Sequence, residues 1–226
     1  MPYIVPDLSA FERKVRSQLG EDGIIEKISE CLGINTGTFF EFGIGPAWNH
    51  PIEDGLEGNF VHLREQGWKG IFLDGAQYPP KYDVRQEFIT PLNINTLYRK
   101  YGLPDDLDFM SIDVDGQELW IWLSLQARPK VVILEYDGGI GADPSISIQF
   151  DVTHRWDGTV YHGASLRALD KVAKDKGYTL VWSNGVNAVF IRDDRVSNKS
   201  DFAFERLFVP FTPHAPDPKN RPWVTI

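Results

Sequence analysis

Apolar residues fall into short unbroken runs separated by stretches with helical spacing. The clearest runs are Thr38-Phe-Phe-Glu-Phe42, Lys69-Gly-Ile-Phe-Leu-Asp74, Asp108-Phe-Met-Ser-Ile-Asp-Val-Asp115 and Lys130-Val-Val-Ile-Leu-Glu-Tyr-Asp137. Continuous runs of this length predict strands buried on both faces, as in a parallel sheet. A shorter strand is expected at Glu87 to Thr90, stopped by Pro91. Helices are expected where Ile24, Ile25, Ile28, Cys31 and Leu32 share a face, from Phe60 through Leu63 to Gly67, along Ile94, Leu97, Tyr98 and Tyr101, at Glu118 to Leu125, and from Ala164 to Gly177. An earlier helix is expected from Ser9, whose spacing to Glu12 suits a capping box, through Phe11 and Val15 to Leu19.

Near the end, Tyr178 to Trp182 and Asn187 to Ile191 flank Asn184-Gly185, a hairpin signal for two antiparallel strands at a sheet edge. Two connections exceed ordinary length. Pro46 to Gly58 reads as a binding loop, and Gly138 to Gly163, with Phe150, Trp156 and Tyr161, as a lid or substrate wall. The proline-rich tail from Val196 to Ile226 is expected to wrap the domain as an irregular arm. Residues 1–226 show no internal repeat or break, so the expectation is one α/β domain with a doubly wound, mostly parallel sheet.

The strand ends carry the candidate chemistry. The first strand runs into Gly43-Ile-Gly45, where glycine permits positive φ and close approach of backbone to a ligand. Each predicted core strand also ends in an acid: Glu41, Asp74, Asp113 with Asp115, and Glu135. In open parallel sheets, ligands bind beyond the carboxyl ends of the strands, so these residues would line one rim.

Composition narrows the partners. Hydrophobic residues make up 42% of the 226, enough for a sizeable core, and a net charge of -9 provides no general attraction for phosphate backbones. No nucleic-acid partner is expected; a small molecule or saccharide suits the chain better. No apolar stretch approaches the roughly 18 residues of a membrane span, and the N-terminal residues lack the basic region and apolar core of a signal peptide, so a cytoplasmic location without membrane association is expected. The lone Cys31 cannot form an internal disulfide and is expected to pack in the core.

Alternating strands and helices closed by a β-hairpin match the order of elements in class I S-adenosylmethionine-dependent methyltransferases. More specifically, Ser17-Gln-Leu-Gly-Glu-Asp-Gly23, Phe40-Glu-Phe-Gly-Ile-Gly45, Gly67-Trp-Lys-Gly70, Asp108 to Gly116, Val132-Ile-Leu-Glu-Tyr136 and Tyr161-His-Gly-Ala-Ser-Leu166 resemble FkbM-like methyltransferases. Together these stretches are more specific than any one alone. The resemblance implies a Rossmann-like, seven-stranded sheet in the order 3-2-1-4-5-7-6, with methyl transfer from S-adenosylmethionine to a hydroxyl of a saccharide or natural product. It implies cofactor binding by Gln18, Glu41, Gly43, Gly45, Asn59, Asp74 and Asp113. One departure is Gly45-Pro-Ala-Trp48, where the family commonly continues Gly-x-Gly-Asp-Gly; another is an apparent insertion before Gly58-Asn59.

Each candidate has an alternative role. Glu41 and the glycines could form a structural turn, and Asp74 a helix cap or a solvated loop acid; Trp120 and Trp122 are expected to be core or rim packing. Asp113, Asp115 and Glu135 end adjacent strands, where converging carboxylates need a cation, a shared proton or hydrogen-bond donors. They are therefore candidate ligands for Mg²⁺ or another divalent cation, with separate backbone partners as the alternative. Asp113, Tyr161 and His162 are the candidate catalytic residues, and His154 is a further candidate base. A non-catalytic binding module and a nicotinamide-dependent oxidoreductase remain alternatives; against the latter, the third position of a G-x-G-x-x-G motif would be Trp48.

Overall fold

A computed structural model of the chain describes residues 2–46 and 55–226. Strands β1 (Thr38–Phe42), β4 (Lys69–Asp74), β5 (Val84–Gln86), β6 (Phe109–Ile112), β7 (Val131–Glu135), β9 (Tyr178–Ser183) and β10 (Asn187–Arg192) form one sheet in the order β5-β4-β1-β6-β7-β10-β9. Numbered among themselves, these seven strands have the order 3-2-1-4-5-7-6. The first five run parallel, and β10 is antiparallel to both β7 and β9.

Strand alternation separates two cores. Phe40, Phe42, Met110, Ile112, Val132 and Leu134 face α3 (Ile94–Lys100), α4 (Glu118–Ser124) and α5 (Leu166–Lys176). Phe39, Phe109, Val131 and Ile133 face α1 (Glu21–Cys31) and α2 (Val61–Glu65). Burial on both faces explains why these strands lack a polar alternation. Ser165 accepts a hydrogen bond from the Ala168 N–H at 3.1 Å at the start of α5, and Gly177 ends that helix in the left-handed conformation.

Several expected elements differ. The first segment forms only a 3-10 turn at Ser9–Phe11, and Phe11, Val15 and Leu19 are exposed. Its backbone is held by Asp22 instead of by a helical ladder: one Asp22 oxygen accepts from the N–H groups of Val15, Arg16 and Ser17 at 2.7, 2.9 and 2.8 Å. The third sheet strand lies at Val84–Gln86, before the expected Glu87–Thr90, because pairing with β4 ends opposite Asp74. Cys31 is only partly buried because it occupies the last residue of α1, at the rim of the core.

The long connection and the tail also hold more structure than expected. Within the former, β8 (Ile146–Ile148) pairs with β11 (Trp223–Thr225), binding the end of the arm to this connection. The tail also contains α6 (Phe204–Leu207). The shorter connection opens and closes with β2 (Gly45–Pro46) paired to β3 (Leu56–Glu57); its centre, including Trp48, lies outside the described residues.

Candidate active site

Sheet register assembles the site. Because Phe42 pairs with Ile112 and Ile112 with Leu134, the residues just beyond β1, β6 and β7 meet at one edge. Gly43 has φ 80°, and a Cβ there would lie 1.3 Å from the Asp113 carbonyl oxygen. Only glycine allows that approach. At Gly45, by contrast, a Cβ would meet nothing within 4 Å, so this backbone borders open cleft.

Glu41 is buried beneath the turn. Its carboxylate accepts from Asn59 N–H at 2.6 Å and Phe60 N–H at 2.9 Å, binding β1 to the start of α2. Burial pushes its pKa up to about 7 against the stabilising effect of those bonds. Both oxygens already have partners, so the structure gives Glu41 an organising role under the cleft. The Asn59 side chain donates to Ser111 Oγ at 2.9 Å.

Asp113, Asp115 and Glu135 converge, each with an oxygen within 4.8 Å of the others. Mg²⁺ coordinated at about 2.0–2.1 Å places neighbouring and opposite ligand oxygens about 3 and 4 Å apart, so small side-chain movements would close this triad on a cation. Desolvation, followed by the Asp115 charge, raises the Asp113 carboxyl well above its ordinary range. Desolvation and Asp113 do the same to Glu135. Glu135 Oε2 is buried without a hydrogen-bond partner among the described residues. Crowded carboxylates and an orphaned acceptor fit a divalent cation.

Glu118 supports this cluster from α4. Its Oε1 accepts from Val114 N–H at 3.0 Å and Gly116 N–H at 2.7 Å, holding the turn in which Asp115 adopts φ 55°. Desolvation raises its pKa to about 7. Glu118 stands with Asp113, Asp115 and Glu135 among the acids singled out in the sequence, but without an assigned role; its position three residues after Asp115, at a strand-to-helix turn, is the signal for this one.

Two adjoining cavities share Gly43, Gly45, Asp113 and Asp115 in their walls. The larger, about 540 Å³, runs past Asp74, Tyr78 and Phe88 toward His154 and Trp156. Asp74 is half-buried, its carboxyl raised by desolvation, and one oxygen accepts from Ala76 N–H at 2.6 Å. An acid beside aromatic and aliphatic walls suits a nucleoside, whose ribose offers hydroxyl donors and whose base offers a flat apolar face. The smaller cavity, about 190 Å³, is polar and reaches Gln18, Glu41, Asn59, Glu135 and Asn187. Thus Gln18, Glu41, Gly43, Gly45, Asn59, Asp74, Asp113, Asp115 and Glu135 all line this pair of adjoining cavities.

Tyr161 and His162 stand apart from both cavities. The Tyr161 hydroxyl donates to the Pro222 carbonyl at 3.0 Å and accepts from Gln149 N–H at 3.2 Å, which ties the long connection to the C-terminal arm. His162 is buried against Trp156 and His214, with Nε2 3.6 Å from Asp137 Oδ2; burial lowers its pKa to about 4. His154 does reach the cleft, packed so closely on Gly116 that a Cβ there would lie 2.6 Å from its Nε2. That nitrogen is buried and has no hydrogen-bond partner among the described residues. Trp122 is fully buried in the core, as expected.

No family model matches the sequence, and no curated protein matches it. Among solved structures, the chain is similar to the MycE methyltransferase from the mycinamycin biosynthetic pathway in complex with Mg, SAH and mycinamycin VI, with a TM-score of 0.50 and 16% identity over 84% of this chain and 56% of that one. A second match is the Burkholderia thailandensis 1,6-didemethyltoxoflavin-N1-methyltransferase with bound 1,6-didemethyltoxoflavin and S-adenosylhomocysteine, at TM-score 0.41 and 12% identity over 76% and 74% of the two chains. The chain spans little more than half the length of the MycE chain. With its strand order and antiparallel β10, it has the class I methyltransferase fold.

Proposed function

We propose that the chain is an FkbM-like, S-adenosylmethionine-dependent methyltransferase that methylates a hydroxyl of a saccharide or small natural product with help from a divalent cation. The observation carrying this reading is a pair of adjoining cavities that share Gly43, Gly45, Asp113 and Asp115, one reaching Asp74 and the other Glu135 of the acidic cluster. The MycE structure contains Mg and SAH, and this cleft offers residue types suited to both.

S-adenosylmethionine, when bound, supplies a methyl group on a sulfonium centre, and a divalent cation supplies Lewis acidity. In this reading Asp74 accepts hydrogen bonds from the ribose hydroxyls, while the side-chain-free turn at Gly43 and Gly45 lets the cofactor's sulfur end approach the backbone. Asp113, Asp115 and Glu135 hold the cation. His154, at the end of the cleft lined by Trp156, takes the acceptor proton as the oxygen becomes nucleophilic. What supports His154 rather than His162 or Tyr161 in this role is that it alone of the three lines the larger cavity. Alignment of acceptor oxygen and methyl group supplies most of the rate.

The test is release of S-adenosylhomocysteine from S-adenosylmethionine across a panel of monosaccharides and polyhydroxylated natural products. At least one acceptor should give turnover that excess EDTA abolishes and Mg²⁺ or Mn²⁺ restores. Full turnover in EDTA would remove the cation from this reading, and transfer only to nitrogen acceptors would overturn the hydroxyl assignment.

A further inference from the structure

The smaller cavity has a recognition element that the cofactor motifs do not explain. Asn187 begins β10 directly opposite Glu135 on β7. Cross-strand partners carry side chains on the same face, within reach of a common ligand. Asn187 is 2% exposed, and its amide nitrogen donates to Glu21 Oε1 at 2.9 Å. The same oxygen accepts from Asn184 Nδ2 at 2.7 Å, while Glu21 Oε2 accepts from Leu19 N–H at 2.9 Å. A carboxylate that only accepts fixes the orientation of the Asn187 amide: NH₂ faces Glu21, and Oδ1 faces away.

That Oδ1 is buried and has no hydrogen-bond partner among the described residues, as is Glu135 Oε2 across the strand pair. Both residues line the cavity of about 190 Å³. Its volume is about six times the roughly 30 Å³ occupied by one liquid water, so it has room for more than a cation. Asn187 Oδ1, fixed as an acceptor on the wall of this cavity, calls for a ligand group that donates, as a primary ammonium does with its three N–H bonds.

We propose that Asn187, oriented by Glu21, is a cofactor-binding residue whose side-chain oxygen accepts a hydrogen bond from the α-ammonium of the cofactor's amino-acid end. This rests on the methyltransferase reading and extends it: Asp74 recognises the nucleoside, and Asn187 recognises the zwitterionic tail. Glu21 acts through Asn187 and is a positioning residue.

Calorimetric titration with S-adenosylhomocysteine and methylthioadenosine, which shares the nucleoside and thioether but lacks the amino-acid end, tests the assignment. Asn187→Leu and the smaller Asn187→Ser should each weaken S-adenosylhomocysteine binding by roughly 10- to 100-fold, the worth of one hydrogen bond to a charged group. Methylthioadenosine affinity should stay within about twofold, which also shows that the variants are folded. Equal losses for both compounds, or unchanged S-adenosylhomocysteine affinity, would overturn the role of Asn187. Wild-type protein that binds methylthioadenosine but not S-adenosylhomocysteine would overturn the ammonium subsite alone. Wild-type protein that binds neither would overturn the cofactor reading and, with it, this inference.

Discussion

Gly43 and Asp113 meet backbone to backbone where β1 and β6 end, leaving no space for a side chain between them. Gly43→Ala would bring a Cβ within 1.3 Å of the Asp113 carbonyl oxygen and impose a φ of 80° on an L-residue. The expected result is a loss of at least about 2 kcal/mol in stability, measured by urea denaturation, from strain at this position. Near-wild-type stability would show that the two strand ends separate easily and that the cleft floor is not rigid.

Asp74→Ala should separate binding from folding. Asp74 belongs to the cleft wall and has one short backbone hydrogen bond, to Ala76, so the urea midpoint should change little. S-adenosylhomocysteine affinity should fall by about 1.5–3 kcal/mol for each ribose hydrogen bond removed. Unchanged affinity in a folded variant would limit Asp74 to holding its turn.

Much of this architecture was legible in the sequence because strands buried on both faces leave unmistakable apolar runs, and the acids ending those runs led to the cleft. The short strand Val84–Gln86 was not legible: it lies at the sheet edge, where half-exposed residues need no apolar pattern. The stretch around Val15 has helical spacing, but tertiary hydrogen bonds to Asp22 prevail over it. The sequence grouped Asp113, Asp115 and Glu135 because each lies at a strand end, whereas Asn187 entered the site through cross-strand register with Glu135. Loop histidines have no periodicity to place them, so only the structure separates His154 in the cleft from His162 behind it.

Asp22 gathers Val15, Arg16 and Ser17 around one carboxylate oxygen, with the Ser17 hydroxyl also donating at 2.6 Å. Asp22→Ala would leave several of these donors unsatisfied, and Ser17 is fully buried. Stability should fall by at least about 2 kcal/mol in urea titration. Cofactor affinity should fall with it, because Gln18 follows directly in the held segment and lines the cleft.

The acids also predict an inverted pH response. Glu41 and Glu118 are raised to about 7 by burial, and Asp113 and Glu135 are raised well above their ordinary values. Groups with elevated folded-state pKa values retain more protons in the native state, so their contribution is complete below the unfolded values near 4 and is lost as pH rises through the folded ones. In EDTA, the melting temperature should therefore fall between pH 6.5 and pH 8, above the range in which the buried, neutral His162 adds stability as pH rises. Mg²⁺ should flatten that fall by replacing the retained protons of Asp113 and Glu135. A melting temperature that rises over this interval in EDTA would contradict the buried, proton-retaining state of these acids.

The central claim is most directly tested by titrating the wild-type protein with S-adenosylmethionine in a calorimeter, with NAD as the comparison. The account predicts saturable, single-site heat with S-adenosylmethionine, reduced by Asp74→Ala, and none with NAD. Saturable heat with NAD and none with S-adenosylmethionine would contradict it.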